Sequence, residues 1–532
     1  MRKRILPWSI ITIALFTAVI LSFVIHNVSA ANMGEAGQSR TEASAHYPLP
    51  PGAAAELQRI RAQIDRIEAQ TLQLQNTDLD TDLDSMHQMQ TLGKLELFDR
   101  TLSVNQNEAC STCHMPQVGY TGASRVLNST TVAYPGSVEG RFSGRKPMSY
   151  TYATLAPVLH YNSTQQDFYG GNFWDMRATG WRLQSPAAEQ AQGPPTNPVE
   201  MGLPDSACVA YRIATGRYAS LFIKVWGSAI QLIQWPADAH RICSTPAGKG
   251  GVGPQLSLSS EDRMRASTVY DQFALSIASY EASPVVNAFS SKFDGYLARV
   301  VTLTSQEQHG YQLFNGQGKC NNCHLSGNAN GASGGTVADA TPLFTDFTSS
   351  NLGLPKNRSI PYYYESKPDR YGFVANPKGL NYVDLGVGAF LGGAQGTPVP
   401  DQSWVQYAPS FNGKMQVPTL RNVDQRPYPG FVKSYMHNGY LKSLKKVVHF
   451  YNTRDMKCST PNDPGVTKTC WPQPEVEANQ DTTIGNLGLS DSDEDDLVAF
   501  LKTLTDGYMT TSSATANKVL ENIRKIRQSQ QH

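Results

Sequence analysis

Two pentapeptides constrain this chain more than anything else in it: Cys110-Ser111-Thr112-Cys113-His114 and Cys320-Asn321-Asn322-Cys323-His324. Each sets two thiols three positions apart and follows them at once with an imidazole. That spacing attaches haem c, the thiols bonding to the porphyrin vinyl groups and the adjacent His ligating the iron. Zinc is the rival chemistry, but paired CxxC zinc sites stand ~12–20 residues apart. Here roughly two hundred residues separate the pairs. A thioredoxin-like dithiol needs no His after both pairs. The sequence therefore predicts two covalently bound haem c groups. Cys110, Cys113, Cys320 and Cys323 are the attachment points, and His114 and His324 the iron ligands.

Four further cysteines, Cys208, Cys243, Cys458 and Cys470, stand singly. Eight cysteines in 532 residues are too few for a disulfide scaffold, so placement carries the information. In an oxidising compartment the neighbours pair as Cys208–Cys243 and Cys458–Cys470, with free buried thiols as the alternative. Export is written at the N-terminus. Met1-Arg2-Lys3-Arg4, an apolar run from Ile5 to Ile25 and Val28-Ser29-Ala30 make a signal peptide over residues 1–30. An uncleaved membrane anchor is the alternative, since ~20 apolar residues can span a bilayer. The expected compartment is the periplasm. With 45 Lys+Arg against 44 Asp+Glu, nucleic-acid binding driven by bulk charge is excluded.

The surroundings of the two motifs repeat. Leu97-Phe98-Asp99 precedes the first and Leu313-Phe314-Asn315 the second. Ser259-x-x-Asp262 opens a helical pattern with Val269, Phe273 and Ile277 on one face. Ser490-x-x-Asp493 opens another with Leu497, Phe500, Leu501 and Leu504. A helix before each motif and a capped helix closing each unit give a mainly α fold of two tandem cytochrome-c-like haem domains with long loops. The expected domains are 89–300 and 301–505. Residues 31–88 form a helical extension, in which 54–75 place Leu57, Ile60, Ile64 and Ile67 at helical spacing, as in a docking or dimerising strut. Residues 506–532 are a polar tail. The stretch 325–400 is Gly-rich and almost without periodicity, which predicts long loops near the second haem.

With these residues in view, the chain resembles the bacterial di-haem cytochrome c peroxidases, including the MauG-like enzymes. The resemblance runs over roughly residues 90–505. It is carried by Leu92-Gly93 with Cys110–His114, Phe173-Trp174-Asp175-Met176-Arg177, Glu189-Gln190-Ala191-Gln192-Gly193-Pro194 and Asn197-Pro198-Val199-Glu200-Met201-Gly202. In the second half it is carried by Cys320–His324, Phe344-Thr345-Asp346, Val417-Pro418-Thr419-Leu420-Arg421-Asn422 and Tyr435-Met436-His437-Asn438-Gly439. The resemblance implies a peroxidatic N-terminal haem and an electron-transfer C-terminal haem. It implies that Trp174 lies between them, and that Gln190, Pro194 and Glu200 line the distal pocket of the first. Peroxide heterolysis needs a base to move a proton from the iron-bound oxygen to the leaving one, and Glu200 is the candidate. For Trp174 a core aromatic, and for Glu200 a solvated carboxylate, are the plain alternatives.

Four departures from the family pattern matter. Position 176 is Met where the family has Gly, and Gln190 follows Trp174 by six residues more than usual; Gln184 keeps the ordinary spacing. No His lies between His114 and His160, and His160 reads as packing, so the first haem is expected to be open, with Pro194 over its distal face. The second haem's distal position is Tyr451, as in MauG, with Met456 and Met436 as alternatives. The family's inter-domain calcium site meets Arg145-Lys146-Pro147 and Val432-Lys433-Ser434 here, which leaves calcium doubtful.

The leading expectation is an oxidoreductase of the cytochrome-c peroxidase type. It would reduce hydrogen peroxide with electrons from a small periplasmic donor, a cytochrome c or copper protein, relayed from the second haem to the first. The alternatives are a MauG-like oxidase acting on a protein or small-molecule partner, and a non-catalytic electron carrier. Homodimerisation is a family expectation for which no interface can be read in the sequence.

Overall fold

Helix α1 (Ala53–Asp78) carries Leu57, Ile60 and Ile64 on one face, and all three are buried. They close against the chain's own helix α2 (Ser85–Phe98) and the segments around the first CxxCH motif. Polar contacts pin the same helix: Glu56 accepts from Ser124 Oγ and Val126 N, at 2.5 and 3.0 Å. Arg61 pairs with Glu108, and Arg100 with Asp65 at 2.7 Å. The strut read from the sequence thus docks within the molecule. The structure, a computed structural model, describes residues 47–78, 84–326, 342–394, 396–456 and 471–509. The signal segment 1–30, the Cys458–Cys470 pair and most of the polar tail lie outside the described residues. Among those residues no helix is long and apolar enough to cross a membrane.

The fold is mainly α. Five further helices position the sites: α3 (Pro186–Ala191), α4 (Ser260–Glu281), α5 (Ser305–Asn315), α6 (Leu444–Thr453) and α7 (Asp491–Lys502). The caps follow the sequence. Ser259 accepts from Asp262 N at the start of α4, and Ser490 with Asp493 makes a reciprocal capping box on α7. Helix α2 crosses α4, and α5 crosses α7, in the same way. At the first crossing a Cβ on Gly93 would lie 1.9 Å from the Ser276 carbonyl oxygen. At the second, one on Gly310 would lie 1.9 Å from that of Asp496. Only a residue without a side chain allows either backbone approach.

Each crossing roots a hydrophobic core. One includes Leu92, Phe98, Val269, Phe273 and Ile277; the other includes Leu313, Phe314, Phe344, Leu497 and Phe500. Cys208 and Cys243, both within the first core, are joined by a disulfide. Among the described residues, sheet is confined to two antiparallel pairs, β1 (His160–Asn162) with β2 (Asp167–Tyr169), and β3 (Ser349–Ser350) with β4 (Met415–Gln416). Between residues 342 and 416 most of the described chain is loop and short 3-10 turns, the form expected near the second motif.

Candidate active site

Both CxxCH segments border a cavity, and both imidazoles are held alike. His114 Nδ1 lies 3.0 Å from the Tyr120 carbonyl oxygen, and His324 Nδ1 lies 2.9 Å from that of Phe344. A carbonyl only accepts, so each Nδ1 carries the proton and each Nε2 keeps the lone pair that an iron ligand needs. Burial pushes both imidazoles down to about 4, so neither takes a second proton at neutral pH. The 344–346 and 417–422 motifs hold the carbonyl that orients His324. Thr345 Oγ1 donates to the Val417 carbonyl and Thr419 Oγ1 to that of Leu343, both at 2.6 Å. Buried Arg421 locks this layer with two bonds to Asp294, at 3.0 and 2.7 Å.

The first cavity measures about 570 Å³, and Cys110, Cys113, His114, Gln190, Pro194 and Glu200 all border it. The second measures about 210 Å³ and is bordered by Cys320, Cys323, His324, Met436 and Tyr451. Trp174 borders both. Two thiols and a pre-oriented imidazole at each cavity are the donor set of a thioether-tethered haem, and they fit it.

At the first cavity, Gln190 lies in the last turn of α3 and the turn from Pro194 leads to Glu200, whose N–H bonds the Asn197 carbonyl at 3.0 Å. Burial raises the Glu200 carboxyl above its ordinary value, with Arg177 and Asn197 pulling it back. Arg177 is itself fixed by two 2.8 Å bonds to Asp175 and lies 3.8 Å over the Phe173 ring. Gln184, the residue at the ordinary spacing, is exposed and donates to the Trp181 carbonyl instead. The extra residues form a loop pinned by Glu189, which accepts from the N–H groups of Gly180, Arg182 and Leu183. His160 is an exposed residue of β1, its ring 5.8 Å from that of Tyr169. It is a surface residue rather than a packed one, and lies away from the cavity.

Trp174 is 9 % exposed, and its indole N–H donates to the Lys146 carbonyl at 3.0 Å. Its ring meets that of His437 edge-on at 6.3 Å. Met176, at the family glycine position, has φ +60° and is fully buried. In the second cavity Tyr451 projects from α6, and burial pushes its hydroxyl well above the ordinary phenol value. Met436 borders the same space, whereas Met456 is 42 % exposed and lies outside it.

The residues at the calcium position do not fit calcium. Lys433 is buried, and its Nζ donates to the carbonyls of Val118, Asn422 and Gln425 at 3.0, 3.1 and 3.2 Å. Lys146 Nζ donates to Thr121 Oγ1 and the Pro147 carbonyl, both at 3.0 Å. Oxygen atoms that would suit a hard cation already surround ammonium groups. Burial pushes both lysines down to about 7. Sequence reasoning registered these lysines only as departures and missed their structural part, because a lone Lys in a loop carries no sign of the carbonyls around it. It also missed Tyr150, whose ring lies 5.5 Å from that of His114, and Glu281, which lines the first cavity.

Comparison with known proteins agrees with this geometry. A family model described as di-haem cytochrome c peroxidase matches residues 87–301. The chain is 28% identical over 419 residues to the methylamine utilization protein MauG of Paracoccus denitrificans, covering 78% of this chain and 88% of that one. It is 24% identical over 420 residues to the cytochrome-c peroxidase IdrP1 of Denitromonas iodatirespirans, covering 78% and 80%. The fold is similar to that of the diheme peroxidase BthA from Burkholderia thailandensis, with a TM-score of 0.54 and 24% identity over 80% of this chain and 88% of that one.

Proposed function

We propose, for a chain that belongs to the di-haem cytochrome c peroxidase and MauG-like family, that it reduces hydrogen peroxide at the first site with electrons relayed from the second. It carries two c-type haems and is a peroxide-dependent oxidoreductase. When bound, the haems supply the iron that takes peroxide and the redox equivalents that cleave it. The observation that carries the reading is the placement of Glu200 on the cavity of His114, with Trp174 bordering that cavity and the next.

His114 and His324 orient through their carbonyl partners and present Nε2 to the metal. The Glu200 carboxylate accepts the proton of one peroxide oxygen and returns it to the other, which leaves as water. Gln190 and Pro194 shape the space around it. The Trp174 indole is oriented by the Lys146 carbonyl and provides the path between the sites. A small periplasmic protein donor, a cytochrome c or copper protein, would supply the electrons.

A MauG-like oxidase acting on an external partner is the second reading, favoured by Tyr451 in the second cavity and by the exposure of Met456 outside it. One titration tests both. The oxidised protein is mixed with stoichiometric peroxide and its spectrum followed, then the experiment is repeated with Glu200→Gln. A fast change in the wild type that slows sharply in the variant is expected; no change in the wild type would sink both readings. A change that persists without reductant selects the oxidase, and turnover only after half-reduction selects the ordinary peroxidase. A methionine-sulfur absorption band in the ferric protein would refute Tyr451 as ligand and point to Met436.

A further inference from the structure

We propose that Trp181 is a surface redox site through which an electron donor too large for either cavity feeds the interior, with Trp404 and Met176 as its relay. The inference rests on the peroxide reading of the first cavity. Trp181 is 44 % exposed, on the loop that Glu189 pins to α3, and its Nε1–H donates to the Leu159 carbonyl at 2.7 Å. Its ring meets that of Trp404 edge-on, centroids 5.6 Å apart. Trp404 is 6 % exposed and belongs to one hydrophobic cluster with Phe168 and Met176. Met176 stands two residues from Trp174, the ring that borders both cavities. Trp181 thus touches Trp404, Trp404 shares a core with Met176, and Met176 lies two positions along the chain from Trp174; the thioether of methionine is an oxidisable group.

Packing alone accounts poorly for the outermost member. A tryptophan left 44 % exposed gives up much of the burial energy that normally places this residue. Loss of one electron makes the indole N–H acidic; the Leu159 carbonyl accepts no proton at neutral pH, so a released proton passes to solvent and is recovered with the returning electron. The balance is simple. Reduction of one peroxide to two waters consumes two electrons and two protons. Trp181 passes the electrons inward one at a time, through Trp404 and Met176 to Trp174. It recovers each from the donor, two equivalents of which are oxidised by one electron apiece. The protons come from solvent. Without a donor, two successive electron losses let water add to the Trp181 ring, placing one oxygen there and releasing two protons.

The test uses the di-haem holoprotein, its Trp181→Phe variant and reduced cytochrome c as the bulky donor. Repeated peroxide additions without donor, followed by peptide mapping, are expected to place oxygen first on Trp181. Trp181→Phe should oxidise reduced cytochrome c about tenfold more slowly or worse, while its spectral response to stoichiometric peroxide stays that of the wild type. A conservative ring in a merely structural position would move neither readout. Unmodified Trp181 together with unchanged cytochrome c oxidation in the variant would overturn the relay while leaving the peroxide reading standing. Absence of any spectral response in the wild type would overturn the peroxide reading and the relay with it.

Discussion

Glu200 and Met176 show what single positions decide. Burial raises the Glu200 carboxyl above its ordinary 4.5, and a base must be ionised to accept a proton. The peroxide reaction should therefore fail, as pH falls, at a higher pH than an unperturbed Glu would give. Glu200→Gln should lower the rate constant by about 10²–10⁴-fold and remove that acid limb, read by stopped-flow spectra across pH. Met176 poses an energetic contest. Its φ of +60° costs about 1–2 kcal/mol that glycine would not pay. Its fully buried side chain, in the cluster with Phe168 and Trp404, contributes about 2–5 kcal/mol. The side chain wins, so Met176→Gly should lower unfolding free energy by about 1–3 kcal/mol in a denaturant titration. The sequence announced Met176 as a departure, but nothing local to it told of the core it fills, which is drawn from residues 159–176 and 387–411.

At the scale of elements, most of the architecture was legible in the sequence because it is written in short-range chemistry. The capping residues Ser259 and Ser490 and the apolar faces behind them lie within one or two helical turns, and the helices begin where those residues stand. The face of α1 was equally plain, but what it covers was not, since its partners include residues from Leu92 to Tyr134 and an apolar stripe does not name its complement. The same limit applied to Gly93 and Gly310, which look alike in sequence only once the two crossings are seen. Replacing either by Ala drives a methyl into a carbonyl oxygen, and the helices must part. Gly93→Ala should cost about 3 kcal/mol, checked by thermal unfolding, with Gly310→Ala doing the same to the second core.

Across the whole molecule, Trp174 ties two cavities to one ring and the lysines tie two stretches of chain to one cluster of charge. Lys433 reaches from residue 433 to the Val118 carbonyl, and Lys146 N–H bonds the His437 carbonyl at 2.8 Å. Lys433→Met takes the donor from three carbonyls, of which that of Asn422 keeps the Gln425 N–H at 3.0 Å, and should cost about 1–3 kcal/mol. Treatment with a calcium chelator, by contrast, should leave the melting temperature and the visible spectrum of the wild type unchanged. With a formal charge of +1, long-range steering is weak, and a partner must find its place by local contact.

The lysines have a consequence for supply as well as for structure. A bound metal ion exchanges with its surroundings, so its occupancy follows whatever the compartment provides. An ammonium group on a side chain is delivered by the ribosome, one per chain, and cannot be diluted away or outcompeted. The link that Lys433 makes between residue 433 and the Val118 carbonyl is then set by inheritance rather than by the mineral content of the medium.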